Sequence, residues 1–205
     1  MPLGSWIVLV GRDGELARLT SLLKEARRGA AGALLIRGEA GLGKTALLEA
    51  TTSLAPDFKV LRARGVESEG EIPYAVILEL LSGVSLGLEM LPSPLRAALE
   101  AACRLRPFPG GDSVVTAAWA TLLTAVSETK PVLVIVDDIQ WVDRNSAESV
   151  LFAARRVHEA RVATVLAIRQ PLSAAIRLDG LERLELGPLD DTAARALIAG
   201  AKPAV

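Results

Sequence analysis

A chain of 205 residues with a net charge of −1 is long enough for one sizeable α/β domain, and its charge gives no electrostatic basis for nucleic-acid binding. Aromatic residues make up only 3% of the chain, which disfavours base-stacking surfaces, and charged residues interrupt every long apolar stretch, so no membrane-spanning segment is expected. A single cysteine, Cys103, excludes an internal disulfide and favours a cytoplasmic location. We expect residues 1–5, which include Pro2-Leu3-Gly4-Ser5, to be a cloning remnant and find no signal-peptide pattern after them.

The first predicted elements are an apolar run and an amphipathic helix. Residues 7–10 are apolar and lead into Gly11-Arg12, after which Asp13 is expected to cap a helix. Leucines at 16, 19, 22 and 23 share one face of that helix, which is typical of a helix packed on a core. Arg27-Arg28-Gly29 is expected to end it.

The strongest signal is an eight-residue run that matches G-x-x-x-x-G-K-[ST]: Gly38-Glu39-Ala40-Gly41-Leu42-Gly43-Lys44-Thr45. An apolar run at 33–36 precedes it and a helical pattern over 45–54 follows, which is the order that the phosphate-binding loop of P-loop NTPases requires. The glycines allow a tight turn in which successive backbone N–H groups face phosphate oxygens. Lys44 is predicted to reach the β- and γ-phosphates, Thr45 to bind Mg²⁺, and Ala46 to contact nucleotide at the start of the helix.

A helical insertion is predicted between the second strand, at 58–63, and the next one. Helices are expected over 74–81 and 94–105, with prolines near both starts, and a third from a cap at Ser113 to about residue 128. Pro107, Pro109, Gly110 and Gly111 indicate a loop before that third helix.

The second strong signal is a run of five apolar residues, 132–136, followed by Asp137-Asp138. Such a run predicts a strand buried on both faces of a parallel sheet, whose carboxyl end faces the ligand. Beside a P-loop, this pattern indicates a Walker B element. Asp137 is predicted to hold Mg²⁺, directly or through water, and Asp138 to orient or deprotonate the attacking water. A helix is expected over 146–158, with Trp141 before it in a packing role.

The last predicted elements are two strands and a helix. Arg169 follows a strand at 162–168 and could reach a γ-phosphate, the alternative being a surface or ion-paired arginine. A short strand at 184–186 ends at Gly187-Pro188, and Asp190 or Asp191 is expected to cap a helix to about residue 198.

Together these features resemble the ATPase module of the signal-transducing STAND class of AAA-related P-loop NTPases. They most resemble the N-terminal part of the large ATP-binding LuxR-type transcriptional regulators. The resemblance spans about residues 7–200 and is carried by 9–16, 38–45, 134–138 with Gln140, Trp141 and Asp143, 166–169 and 184–189.

The resemblance implies a three-layer αβα fold with a five-stranded parallel sheet in the order 5-1-4-3-2 and a helical insertion after strand 2. It implies a core over 6–188, a hinge at Pro188, and the start of a truncated helical lid over 189–205. It implies that Val10, Gly11 and Arg12 lie beside an adenine, that Pro188 also contributes to the nucleotide site, and that Arg169 senses the γ-phosphate.

ATP or ADP with Mg²⁺ are therefore the expected ligands, and the expected function is a slowly hydrolysing regulatory switch in a transcriptional regulator. Direct DNA binding is not expected, because the family carries its helix-turn-helix in a distant C-terminal domain. Nucleotide-dependent self-association is compatible with the resemblance. Two alternatives stay open. A DNA-handling AAA+ ATPase of the origin-recognition or clamp-loader type usually has Glu where this chain has Asp138, and a small-molecule P-loop kinase needs a mobile, arginine-rich lid.

Overall fold

A five-stranded parallel sheet forms the centre of the protein. The computed structural model describes residues 9–104, 111–170 and 178–200, so the expected loop up to residue 110 and the expected remnant at 1–5 lie outside the described residues. The strands lie in the order β2-β3-β4-β1-β5, which confirms the predicted sheet order. Their bounds are β1 Gly32–Gly38, β2 Lys59–Arg64, β3 Val132–Asp137, β4 Val162–Arg169 and β5 Glu182–Glu185.

Helices cover both faces of this sheet. Two of them, α1 Asp13–Arg27 and α2 Lys44–Ser53, pack on one face. The opposite face carries α3 Ala75–Ser82, α4 Ser93–Cys103, α5 Asp112–Thr129 and α6 Arg144–Arg156. The predicted insertion after the second strand is therefore α3 to α5, and a further helix, α7 Asp191–Gly200, follows β5. No helix in the described ranges is both long and apolar enough to cross a membrane.

The central strand β3 shows why the sheet needs helices on both sides. All six of its residues are buried. Val132, Val134 and Val136 belong to the core beneath α3–α6, whereas Leu133 and Ile135 belong to the core beneath α1 and α2. Alternate side chains of a strand point to opposite faces, so a continuous apolar run requires two apolar layers.

Two predicted helix caps are wrong. Arg12 occupies the cap position of α1, and Asp13 is the first helical residue, where its negative charge favours the positive end of the helix dipole. Gly111, with φ of 66°, occupies the cap position of α5, so Ser113 lies inside the helix. At α7 the prediction is confirmed, because Asp190 Oδ1 accepts a hydrogen bond of 2.7 Å from the backbone N–H of Ala193.

Asp143 joins the insertion to α6. Its Oδ1 atom accepts hydrogen bonds from the backbone N–H of Ser146, at 2.9 Å, and from the backbone N–H of Tyr74, at 2.8 Å. The first bond caps α6, and the second holds the start of α3, where Tyr74 has the unfavourable φ of 63°. Asp143 is only 3% exposed, so both bonds lie in the interior. The last acid of the Asp-Asp-Ile-Gln-Trp-Val-Asp run therefore has a structural role.

Replacing Asp143 with alanine is expected to lower the free energy of unfolding by about 2 kcal/mol. The substitution removes a helix cap and leaves the buried Tyr74 N–H without its acceptor, each of which costs about 1 kcal/mol or more. Urea unfolding measures the change. Asp190→Ala is the matched control, because it removes a cap at an exposed helix start and no second bond. A loss at Asp143 no larger than at Asp190 would contradict the joining role.

Candidate functional site

The eight-residue loop connects the carboxyl end of β1 to the start of α2. Gly41 and Gly43 have φ of 81° and 92°, a region that residues with a side chain rarely adopt. Gly43 also occupies the cap position of α2, and no side chain caps this helix. The first N–H groups of a helix lack partners within it, so the amino end of α2 is open to an anion.

Lys44 is folded back onto this loop. Its ammonium group donates hydrogen bonds to the carbonyl oxygens of Gly38, at 2.9 Å, and Glu39, at 2.6 Å. The residue is only 8% exposed, and burial lowers the pKa of the Lys44 ammonium, while the charges of Asp138 and Asp137 oppose that shift. A phosphate at the loop would offer this cation stronger, charged acceptors in place of the two carbonyls.

Thr45 and Asp137 meet beside the loop. The Thr45 hydroxyl donates a hydrogen bond of 2.8 Å to Asp137 Oδ2, and Asp137 is 3% exposed. Among the described residues no group of three or more His, Cys, Asp or Glu side chains could hold a metal by itself. A single hydroxyl and carboxylate pair fits Mg²⁺, which binds through one or two carboxylates together with water and phosphate oxygens.

Asp138 is held on both carboxylate oxygens. Oδ2 accepts two hydrogen bonds from Arg64, from Nε at 3.1 Å and Nη2 at 2.9 Å, and Oδ1 accepts one from Gln140 Nε2 at 3.0 Å. Its backbone has φ of 50°, and Gly65 packs so close that a Cβ there would lie 2.3 Å from the Asp138 carbonyl oxygen. The backbone of Asp138, directly after β3, therefore packs against the residue that directly follows β2.

The sequence did not identify Arg64 or Gln140 as site residues, although both contact Asp138 in the structure. Arg64 is the last residue of β2 and pairs in register with Asp137 on β3. Arg64 lies beside the acids because β2 and β3 are adjacent in the sheet, although the helical insertion separates them in sequence. The one available signal for Arg64 was its place at the end of a strand predicted to border the Walker B strand.

Arg169 ends β4 beside the loop. It pairs in register with Gly38, and its exposed side chain lines a cleft of about 410 Å³ together with Glu39, Ala40 and Gln170. The structure therefore brings Arg169 to the same edge of the sheet as Lys44, Thr45, Asp137 and Asp138.

Arg12 connects the loop with the segment before Pro188. Its guanidinium Nη2 donates hydrogen bonds to the carbonyl oxygens of Leu42, at 3.1 Å, and Gly187, at 2.8 Å, and Nη1 pairs with Glu15 at 2.9 Å. Gly11 packs so tightly on α7 that a Cβ there would lie 2.4 Å from the Cβ of Ala193. Gly11 and Arg12 therefore lie between the phosphate loop and α7, and the guanidinium of Arg12 is hydrogen-bonded to protein acceptors.

The model of one protein family, described as AAA ATPase domain, matches residues 8–168 of the chain. The chain belongs to this family. The match includes the loop at 38–45 and the Asp137-Asp138 pair, so a P-loop nucleotide-binding fold is established for this AAA ATPase domain. No protein of curated function matches the chain. The narrower STAND and LuxR-type resemblance remains a prediction.

Several solved structures share the fold of this AAA ATPase domain. A DNA replication initiation factor is 14% identical with a TM-score of 0.53, and the match covers 93% of this chain and 50% of that one. Drosophila ORC bound to DNA is 18% identical with a TM-score of 0.58, covering 92% and 46% of the two chains. Cdc6p from Pyrobaculum aerophilum is 15% identical with a TM-score of 0.58, covering 91% and 48%. The chain thus spans about half the length of these relatives, and at such identities the likeness shows the fold alone.

Proposed function

We propose that this AAA ATPase domain binds ATP with Mg²⁺, hydrolyses it slowly and acts as a regulatory switch module of a LuxR-type transcriptional regulator. The observation that carries nucleotide binding is the meeting, at one edge of the sheet, of an uncapped α2, the Lys44 ammonium and the Thr45–Asp137 pair. The assignment to a transcriptional regulator rests on the sequence resemblance.

Each residue has a distinct role in this proposal. The loop amides and Lys44 bind the β- and γ-phosphates, Thr45 and Asp137 hold Mg²⁺, and Asp138 orients the attacking water. When bound, Mg²⁺ supplies positive charge to the phosphate oxygens. Arg169 contacts the γ-phosphate from the end of β4.

Slow turnover is supported by the state of Asp138. Three hydrogen bonds, two from Arg64 and one from Gln140, compete with water for the roughly four lone-pair positions of its carboxylate. The described residues also offer no evident arginine finger, a contribution worth about 10³–10⁵ in rate where it is used.

The switch itself is proposed to act through the segment around Pro188. Residues 6–188 are taken as the core and 189–205 as the start of a lid. Arg12 contacts both Leu42 in the phosphate loop and Gly187 before the hinge, so a change in the loop has a direct route to α7. Nucleotide can shift the position of α7 only as far as it binds the two arrangements with different affinity.

A second candidate is a DNA-handling AAA+ ATPase. It is favoured by the fold shared with a DNA replication initiation factor, with Drosophila ORC bound to DNA and with Cdc6p. The net charge of −1 argues against a DNA-binding surface on these residues. Turnover measured with and without duplex DNA distinguishes the two, because stimulation by DNA is expected only for the second candidate.

Replacing Arg169 with alanine is expected to weaken ATP binding roughly tenfold to a hundredfold and ADP binding much less. Only ATP carries the γ-phosphate that Arg169 is proposed to contact, and a charge-assisted hydrogen bond contributes about 1.5–3 kcal/mol. Calorimetric titration of the wild type and the variant with ATP, ADP and GTP, in the presence of Mg²⁺, measures both effects and the preference for adenine.

Arg144→Ala is the matched control for this experiment, because Arg144 is exposed on α6 and pairs with Glu148 one turn along the same helix. An equal loss of ATP and ADP affinity at Arg169 would contradict its γ-phosphate role. Absence of nucleotide binding by the wild type would refute the proposed function. Wild-type turnover near the median enzyme rate of about 10 per second would refute a slow switch.

A further inference from the structure

Gln140 bridges the ends of two strands with both atoms of its side-chain amide. Its Nε2 donates a hydrogen bond of 3.0 Å to Asp138 Oδ1, and its Oε1 accepts one of 3.1 Å from the backbone N–H of Arg169. A carboxylate can only accept and a backbone N–H can only donate, so the two partners determine the orientation of the amide. A side chain without both a donor and an acceptor at this length cannot make the same bridge.

The backbone beneath this bridge is held firmly in place. Gln140 lies in the short 3₁₀ turn Ile139–Trp141, and the side chain of Ile139 is fully buried. The backbone N–H of Trp141 donates a hydrogen bond of 2.9 Å to the Asp138 carbonyl oxygen, against which Gly65 packs. Because this backbone is packed, the side chains of Gln140 and Asp138 can change direction without moving it.

The two oxygens of Asp138 differ in what holds them. Oδ2 is bound by Arg64, whose side chain is 68% exposed, whereas Oδ1 is bound by the partly buried amide of Gln140. The exposed guanidinium of Arg64 can turn away into water, whereas the Asp138 side chain is only 19% exposed and stays beside Gln140. Once Arg64 has left, Gln140 still donates its hydrogen bond to Oδ1 and sets the direction of the Asp138 carboxylate.

We infer that Gln140 is a positioning residue that couples the Arg169 end of β4 to the orientation of the Asp138 carboxylate. This inference rests on the proposed function. When Arg169 binds the γ-phosphate, the end of β4 is held in one position, and the Arg169 N–H holds the Gln140 amide with it. The amide then directs Oδ2 of Asp138 toward the space that the attacking water occupies. Gln140 thereby makes hydrolysis depend on γ-phosphate binding.

Replacing Gln140 with methionine is expected to lower the single-turnover rate of ATP hydrolysis roughly 10- to 100-fold and to change ATP affinity less than threefold. Methionine has a similar length but makes neither hydrogen bond, and losing a bond to a charged group accounts for an effect of this size. Gln140→Glu is the second variant, because it keeps an acceptor for the Arg169 N–H and loses the donor to Asp138. It should lower the rate as much, again with affinity retained.

Coupling is tested by combining each variant with Arg169→Ala. In the wild-type background Arg169→Ala should lower both ATP affinity and the hydrolysis rate, whereas in the Gln140→Met background it should lower affinity alone. Arg64→Met is the matched control, because it removes hydrogen bonds from the same carboxylate, whereas Arg64 belongs to β2, which pairs with β3 and is not adjacent to β4. Its effect on the rate should therefore multiply with that of Arg169→Ala.

The outcomes separate this inference from the proposed function. Wild-type protein that fails to bind ATP would refute the proposed function. Wild-type protein that binds ATP without hydrolysing it would refute both the positioning role and the proposed hydrolysis, and would leave nucleotide binding standing. The positioning role alone would be refuted by an unchanged rate in both Gln140 variants, or by rate effects of Gln140→Met and Arg169→Ala that multiply as independent changes do.

Discussion

Asp138→Asn is expected to lower ATP turnover roughly 10²–10⁴-fold, the range that a positioned general base contributes, and to leave ATP affinity nearly unchanged. Asparagine keeps the size of the side chain and can still accept a hydrogen bond from Arg64 or Gln140. It cannot take a proton from water, so only water activation is lost. Single-turnover hydrolysis with protein in excess over ATP measures the rate, and calorimetry measures the affinity.

Asp137→Ala provides the contrast. Asp137 accepts the Thr45 hydroxyl hydrogen bond and is proposed to hold Mg²⁺, so its removal should weaken ATP binding in Mg²⁺ and have little effect when Mg²⁺ is chelated. The two neighbouring acids are thus expected to affect different measurements. Equal losses of affinity in both variants, with no loss of turnover in Asp138→Asn, would contradict their separate roles.

Lys44→Ala is expected to weaken both ATP and ADP binding roughly tenfold to a hundredfold. The variant loses a cation that is proposed to contact the phosphates, and a hydrogen bond to a charged group contributes about 1.5–3 kcal/mol. The fold should survive, because within the described part of the chain the Lys44 ammonium hydrogen-bonds the loop carbonyls of Gly38 and Glu39 and no core side chain. Calorimetric titration with both nucleotides measures the loss.

Lys59→Ala is a suitable control for that experiment. Lys59 is an exposed lysine at the amino end of β2, the opposite end of the sheet from the phosphate loop. Its removal should leave both affinities unchanged. A folded Lys44→Ala protein with wild-type affinity for ATP and ADP would refute the phosphate-binding role of the loop.

The structure relates these predictions to one another. The phosphate loop with Lys44 and Thr45 follows the carboxyl end of β1, and Asp137 and Asp138 lie at the carboxyl end of β3. Strand β4 lies between those two strands. Arg169 at the end of β4 therefore lies between the phosphate loop and the acids. This position makes a side chain such as Gln140 able to contact both Asp138 and the backbone of Arg169.

The sequence by itself determined the features that depend on neighbouring residues. The phosphate loop could be recognised because Gly41 and Gly43 must adopt positive φ within a short turn, a local requirement that leaves a local pattern. The buried strand β3 could be recognised because a strand covered on both faces needs a continuous apolar run. The sheet order followed from the family resemblance, not from the residues of any one strand.

Only the tertiary structure decided which side chains meet across that sheet. Asp138 is hydrogen-bonded to Arg64, 74 residues away in sequence, and Arg12 is hydrogen-bonded to Gly187, 175 residues away. Asp143 finds the backbone of Tyr74 at a separation of 69 residues. A hydrogen bond requires its donor and acceptor to lie within about 3 Å and in line, and that geometry depends on strand order and register. Strand order and register cannot be read from the residues near Asp138, Arg12 or Asp143 in the sequence, so the tertiary fold alone brings these partners together.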